Sequence, residues 1–338
     1  MAGGIGNAVR AAGALLPASW MRALSTPAAV FFHGVERRLD DVRVQGMHHA
    51  RERFCDIAGQ LARDFEVLPL CALEDVLKNP RQHRRSLFLM ADDGYVNNLT
   101  EAEPILRAHG LPWTVFVSAR HIETAARNPL FLARLFLLFA PPGLYRVENL
   151  GNIEISLDRN AADIGARLSQ LKRLPAEASQ AAIESMRSQF LELDTEAARF
   201  VSDSFLTWDQ VAALKSRGVE IGAHADRHWA MHEGQSPAYL REQASGARAM
   251  IESRIGSCRH FAYPFGNVGD VSRAAWHAVR DAGFDYGFTT LSGTLDASLN
   301  RWLLPRYGLR PCERRLASLV PTLRLGNPRL RAFQRSLT

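Results

Sequence analysis

The stretch Phe88–Asn98 reads FLMADDGYVNN. An apolar run stops at two adjacent carboxylates, Asp92 and Asp93, and a glycine follows. SLFLM, just upstream, has the composition of a buried strand, so the acids stand where that strand ends. TEAEPILRAHG comes next with helical spacing, Thr100 as its N-cap and Gly110 as its stop. PWTVFVSA is a second apolar strand. Outward from here the alternation persists. AAVFFHGV, FEVLPL, VEIGAH, RHFAYPFG and FDYGFTT read as strands. CALEDVLKN, PAYLREQASGARAMIESRIG and SRAAWHAVRDAG read as helices. TWDQVAALKSRG is a further helix, with Thr207 and Gln210 as a capping box and Gly218 as its stop. Strand–helix alternation over this length argues for an α/β fold with a parallel sheet or barrel.

Between His121 and Asp203 the rhythm changes. LFLARLFLLFA, AADIGARLSQLKRL and EASQAAIESMRSQFLEL are helical patterns with one short strand, NIEISL, among them. We read this as a helical insertion, residues 121–203, packed over one end of the core. Residues 1–27 form a loose lead-in, 28–310 the main domain, and 311–338 a basic tail.

The charge is uneven. From Arg301 onward the chain carries nine arginines against one acid, Glu313, so the formal charge of +6 comes from the C-terminus. Leucines lie among these arginines, a mixture that suits peripheral membrane contact, although Pro321 and Pro328 interrupt any long helix. No nucleic-acid-binding motif accompanies the basic residues, so no nucleic-acid partner is expected. Four scattered cysteines suggest neither a zinc cluster nor a disulfide framework. No run is apolar enough to span a bilayer, and the alanine-rich start, broken by Arg10 and Pro17, does not read as an export signal. The expected location is cytoplasmic, with peripheral membrane contact as an option.

Polar residues collect at expected strand ends, where parallel α/β folds place their chemistry. Asp93, His224 and His228 form a plausible ligand set for Zn²⁺ or another divalent cation, two imidazoles and a carboxylate with positions left open. Asp92 is then the candidate base, since a cation stabilises both neighbouring carboxylates. Arg259 is the candidate partner that keeps Asp92 ionised. Each feature alone has a structural explanation: DDG is a common turn, HxxxH a common surface pair, and Arg259 a possible surface ion pair.

MADDGY, GAHADRH and RHFAYPFG together resemble the polysaccharide deacetylases, the NodB-like group, from about Ala28 to Arg310. The resemblance implies a distorted (β/α) barrel and metal-dependent removal of an acetyl group from an N-acetylated sugar or glycan, which lipid linkage would suit if the tail meets membrane. It carries the base role to Asp92, metal binding to Asp93, His224 and His228, and steering of Asp92 to Arg259. The Tyr263 N–H would hold the oxyanion. Ala225 departs from the usual Ser or Thr of the histidine motif. The late Leu-x-His motif that supplies the general acid is missing, and LLPRYGLR, Leu303–Arg310, stands in its place. FFHGV resembles the N-terminal element of a circularly permuted branch that includes poly-N-acetylglucosamine deacetylases, and this makes His33 the candidate acid. Tyr95 and Trp229 either stack on a sugar or pack in the core. His48, His49, His109, His121 and His232 read as surface residues. Two alternatives stay open: a carbohydrate-binding pseudoenzyme, and a hydrolase of a non-sugar amide such as a formamide or cyclic imide.

Overall fold

The computed structural model describes residues 26–312, 316 and 328–337. Its strands are β1 (Ala28–Phe32), β2 (Gly34–Glu36), β3 (His48–Ala50), β4 (Glu66–Val67), β5 (Ser86–Ala91), β6 (Thr114–Val117), β7 (Gly143–Val147), β8 (Gly151–Ile155), β9 (Glu220–Ala223), β10 (His260–Ala262), β11 (Tyr286–Phe288) and β12 (Tyr307–Gly308). Eight of them make one parallel sheet in the order β11-β10-β9-β6-β5-β1-β12, with β4 beside the start of β5. The sheet curls until one segment meets both edges. The Leu304 N–H donates to the Gly287 carbonyl of β11, Leu304 bridges Phe288, and three residues further on Tyr307 and Gly308 pair with Val30 and Phe31 of β1. The result is a distorted (β/α) barrel.

Side chains alternate across each strand, so the two faces build separate cores. Ala29, Phe31, Phe88, Met90, Phe116, Ala262, Phe288 and Leu304 fill the lumen. Leu70, Leu73, Val76 and Leu77, from α2 (Leu73–Lys78) and the turn before it, join this cluster and plug one end. Val30, Leu89, Val115, Ile221 and Phe261 face outward against helices that include α1 (Arg51–Asp64), α3 (Glu103–Ala108) and α4 (Ala119–Thr124). Gly222 of β9 has to be small, since a Cβ there would lie 2.5 Å from the Phe116 ring.

Residues between Asn128 and Phe200 fold around a core of their own. It is built by α5 (Pro129–Phe139), the antiparallel hairpin β7–β8, α6 (Ala161–Lys172), α7 (Ala176–Gln189) and α8 (Leu193–Ala198), with Val44 packed against it. The sequence reading anticipated α5, α6, α7 and β8 but neither β7 nor α8. The polypeptide then returns to the barrel through α9 (Trp208–Ser216), α10 (Pro237–Arg241), α11 (Ala247–Ile255) and α12 (Arg273–Asp281). The capping box at Thr207 and Gln210 is present, with both reciprocal bonds made. Thr100 is no N-cap: the helical run already starts at Asn98, and its hydroxyl points back to the Val96 carbonyl.

The C-terminal helix α13 (Pro328–Leu337) packs on the outside of the barrel. Leu330, Phe333 and Leu337 are buried in the outer barrel core, and Gln334 donates to the Leu303 carbonyl at 2.9 Å. Burying each such side chain is worth about 1.5–3 kcal/mol, so undocking the helix to reach lipid would forfeit that gain. Leu319, Val320, Leu323 and Leu325 lie outside the described residues. No described helix is long and apolar enough to cross a membrane, and all four cysteines are free.

Four of the five histidines assigned to the surface, His48, His49, His121 and His232, are buried. His49 donates from Nε2 to the Leu309 carbonyl at 3.1 Å, a bond that ties β3 to the strand closing the barrel. Burial lowers its pKa to about 4. The unfolded chain takes up this proton near 6.5 and the folded one only near 4, so stability is full above 6.5 and declines as pH falls through that window. His49→Gln keeps a donor for Leu309 and does not titrate. Urea unfolding at pH 7 and pH 4.5 should show a smaller acid loss in that variant, by up to about 3 kcal/mol. An identical loss in both proteins would assign the sensitivity elsewhere.

Candidate active site

Strand β5 ends at Ala91, and the two carboxylates diverge from there. Asp92 continues the extended chain, its N–H donating to the Phe32 carbonyl at 2.9 Å. Asp93 turns into the left-handed region, φ 73°, and Gly94 follows at φ 79°. A Cβ on Gly94 would press on Val117 at 2.9 Å, so the third residue of the DDG run must be glycine. Backbone strain recurs around the same point: Ala225, His228 and Phe265 also have positive φ. Such conformations cost about 1–3 kcal/mol each for residues other than glycine, and they concentrate where a site imposes the geometry.

Asp93 meets His224 and His228, which follow β9. Its Oδ1 lies 3.2 Å from His224 Nε2 and 2.8 Å from His228 Nε2, and all three residues are buried. That oxygen nevertheless receives no well-directed hydrogen bond. His224 Nδ1 is 2.8 Å from the Ala262 carbonyl, which can only accept, so Nδ1 carries a proton and Nε2 is left as the ligand nitrogen. His228 differs: the amide nitrogen of Asn128, whose oxygen accepts from the Leu130 N–H, donates to its Nδ1 at 3.2 Å, which leaves the neutral ring's proton on Nε2, facing Asp93. A carboxylate and two imidazole nitrogens gathered at one buried point, with the Asp93 oxygen lacking a well-directed donor, are a donor set that fits a divalent metal ion, which would take the place of the His228 Nε2 proton. Burial pushes the Asp93 pKa up, but the two imidazoles outweigh it and hold the carboxyl well below the ordinary range.

Asp92 is held from inside the barrel, and the partner is not the one expected. Arg306 Nη1 and Nη2 donate to its two oxygens at 2.7 and 2.8 Å. Arg306 is fully buried, donates from Nε to the Thr289 carbonyl, and sits against the rings of Phe31, Phe116 and Phe288, the nearest centroid 4.4 Å away. Burial alone would raise the Asp92 pKa, and the guanidinium more than compensates, so the carboxylate stays ionised. Arg259 is elsewhere: its side chain is 64% exposed and paired with Asp285 at 2.6 Å. That is the surface ion pair, set by its place at the start of β10, away from the strand's C-terminal end. No motif marked Arg306, but a lone arginine within LLPRYGL is the kind of residue a core admits only with a partner.

Tyr263 also departs from expectation. Its N–H donates to the Phe288 carbonyl at 3.0 Å as part of the sheet, and its hydroxyl to the Trp302 carbonyl, so neither is free for an oxyanion. Trp229 is buried and does not line the cavity. Tyr95 does line it, but Phe205 stacks on its ring and His48 leans against it, so it forms a wall of the site and no open platform for a sugar. His33 stands at the end of β1 with its carbonyl anchored by Asn98, and its ring lines the same cavity as Asp92 and Asp93. Burial lowers its pKa against the pull of both carboxylates. The cavity holds about 610 Å³ and is roofed by the 42–48 loop and by Leu130, Phe131, Arg134 and Lys172 of the insertion.

The family model for polysaccharide deacetylase matches residues 79–287, more than half of the chain. The chain belongs to the polysaccharide deacetylase family. Solved structures agree at the level of fold. The deacetylase PplD of Streptococcus pyogenes superposes with a TM-score of 0.56 at 13% identity, covering 85% of this chain and 93% of its own. IcaB from Ammonifex degensii gives 0.55 at 14%, covering 88% and 97%. A de-N-acetylase from Aggregatibacter actinomycetemcomitans gives 0.54 at 15%, covering 88% and 100%. No curated protein matches the sequence. His33 and Arg306 both fall outside the matched residues.

The two arginines separate cleanly by experiment. Arg306→Met leaves Asp92 buried without its counter-charge and should destabilise the protein by about 3–5 kcal/mol in urea at pH 7. Arg259→Ala should change stability by less than about 1 kcal/mol. Equal effects of the two substitutions would refute the assignment.

Proposed function

We propose that the protein is a metal-dependent hydrolase that removes an acetyl group from an N-acetylated sugar or glycan. The observation that carries this reading is the convergence of Asp93, His224 and His228 on one buried point beside the ionised pair of Asp92 and Arg306. A divalent cation, with zinc the first candidate, would be held by those three residues and would supply Lewis-acid polarisation and a lowered water pKa.

The chain's own groups supply the remaining chemistry. Asp92 takes a proton from the attacking water. The Arg306 fork occupies one lone-pair direction on each Asp92 oxygen and leaves the others open, so it fixes the base in place without blocking it. His33, facing both carboxylates from β1, donates a proton to the sugar nitrogen as the C–N bond breaks, and free amine and acetate leave. Its lowered pKa makes the protonated ring a readier donor. His228 is held in rotation by Asn128, so the insertion supports the site as well as roofing it.

Acetate release from N-acetylglucosamine and its oligomers tests the proposal. Dipicolinate should abolish release and added Zn²⁺ should restore it. His33→Ala should lower kcat by about 10²–10⁴-fold with the metal content unchanged. Full turnover after complete metal removal would contradict the proposal, and near-normal turnover in His33→Ala would remove that residue from the reaction.

A further inference from the structure

Helix α5 reads PLFLARLFLLF, and Arg134 is its one charged residue. Eight of its eleven residues are buried in the core of the insertion. Arg134 instead lines the cavity, beside Leu130 and Phe131 and on the opposite wall from the barrel. The other two cations on that roof are already matched, Arg43 with Asp41 at 2.6 Å and Lys172 with Asp270 at 2.7 Å. Arg134 has no carboxylate within ion-pair distance among the described residues, and it donates from Nη1 to the Arg43 main-chain carbonyl at 3.0 Å. That bond uses one of five N–H donors. Burial lowers the Arg134 pKa, and the Tyr95 phenol opposes that shift while no acid contributes. A half-buried guanidinium with no counter-charge, on an otherwise apolar helix, is costly unless an anion arrives to meet it.

We propose that the substrate carries an oxyanion, a phosphate or carboxylate on the N-acylated sugar or on the group attached to it, and that Arg134 recognises it. Arg134, Tyr95, Asp92 and Asp93 line the same cavity, so the anion subsite adjoins the reacting centre. A planar guanidinium suits either oxyanion through paired N–H donors. The proposal rests on the deacetylase reading for where the acetyl group lies, while the binding of the anion stands apart from it.

The test follows acetate release and calorimetric binding for N-acetylglucosamine, N-acetylglucosamine 1-phosphate and N-acetylmuramic acid. Arg134→Gln retains a donor for the Arg43 carbonyl and loses only the charge. The wild type should favour at least one anionic sugar over the neutral one by about tenfold or more in kcat/KM, and Arg134→Gln should erase most of that ratio and weaken binding of that sugar by a similar factor. Equal kcat/KM and Kd for all three sugars in the wild type would overturn the proposal, and so would a preference that survives in Arg134→Gln, which would place the anion elsewhere, for instance on a bound cation. If Arg134→Gln does not fold, the wild-type ratio together with Arg134→Lys, which keeps the charge and should keep part of the preference, decides. Binding that depends on Arg134 without acetate release from any sugar would sustain this inference and sink the deacetylase reading.

Discussion

One buried charge pair organises the centre of the molecule. Arg306 is fully buried, and its solvation is replaced by the Asp92 carboxylate, the Thr289 carbonyl and three phenyl rings. In a medium of low dielectric such a guanidinium is tolerated only while every one of these partners stays in position. That requirement couples strands distant in sequence. Phe31 comes from β1, Asp92 from the end of β5, Phe116 from β6, Phe288 from β11, and the arginine from the segment that closes the barrel. The lumen is therefore an electrostatic assembly as well as a packed one, and its upper end delivers an ionised carboxylate to the cavity.

The adjacency of Asp92 and Asp93 acquires a physical reason from this. Two neighbouring carboxylates in a buried place would disfavour each other's charge. The left-handed turn at Asp93 sends them apart, one to a guanidinium inside the barrel and the other to a pair of imidazoles above it. Each charge has its own compensation, so both can remain ionised within a few ångströms. Asn128 extends the arrangement outward, because the residue that caps α5 also orients His228. The insertion and the barrel are joined at the place where the chemistry is expected.

Much of this was legible in the sequence. The apolar runs ending in DDG, GAH and YPFG located β5, β9 and β10, and the acid and two histidines beside them do converge. Thr207 and Gln210 announced their capping box. What escaped had a common cause: side-chain direction at the ends of short strands is decided by tertiary packing, which spacing does not record. Arg259 matched a motif position, but it precedes β10 and points to solvent. Tyr263 matched as well, yet its N–H was consumed by the sheet. Arg306 stood among nine arginines of a stretch that looked like a solvated tail, and only the closure of the barrel makes it an interior residue. Trp229 and Tyr95 illustrate the same limit, since an aromatic ring beside a site cannot be told from a wall of that site until its neighbours are known.

The account's central claim is that Asp93, His224 and His228 share a divalent cation. Crystals of the protein supplied with zinc and measured at the zinc absorption edge test it most directly. The account predicts an anomalous peak about 2.0–2.2 Å from both Nε2 atoms and from Asp93 Oδ1. The three side chains joined to one another by hydrogen bonds, with no peak between them at saturating zinc, would contradict it.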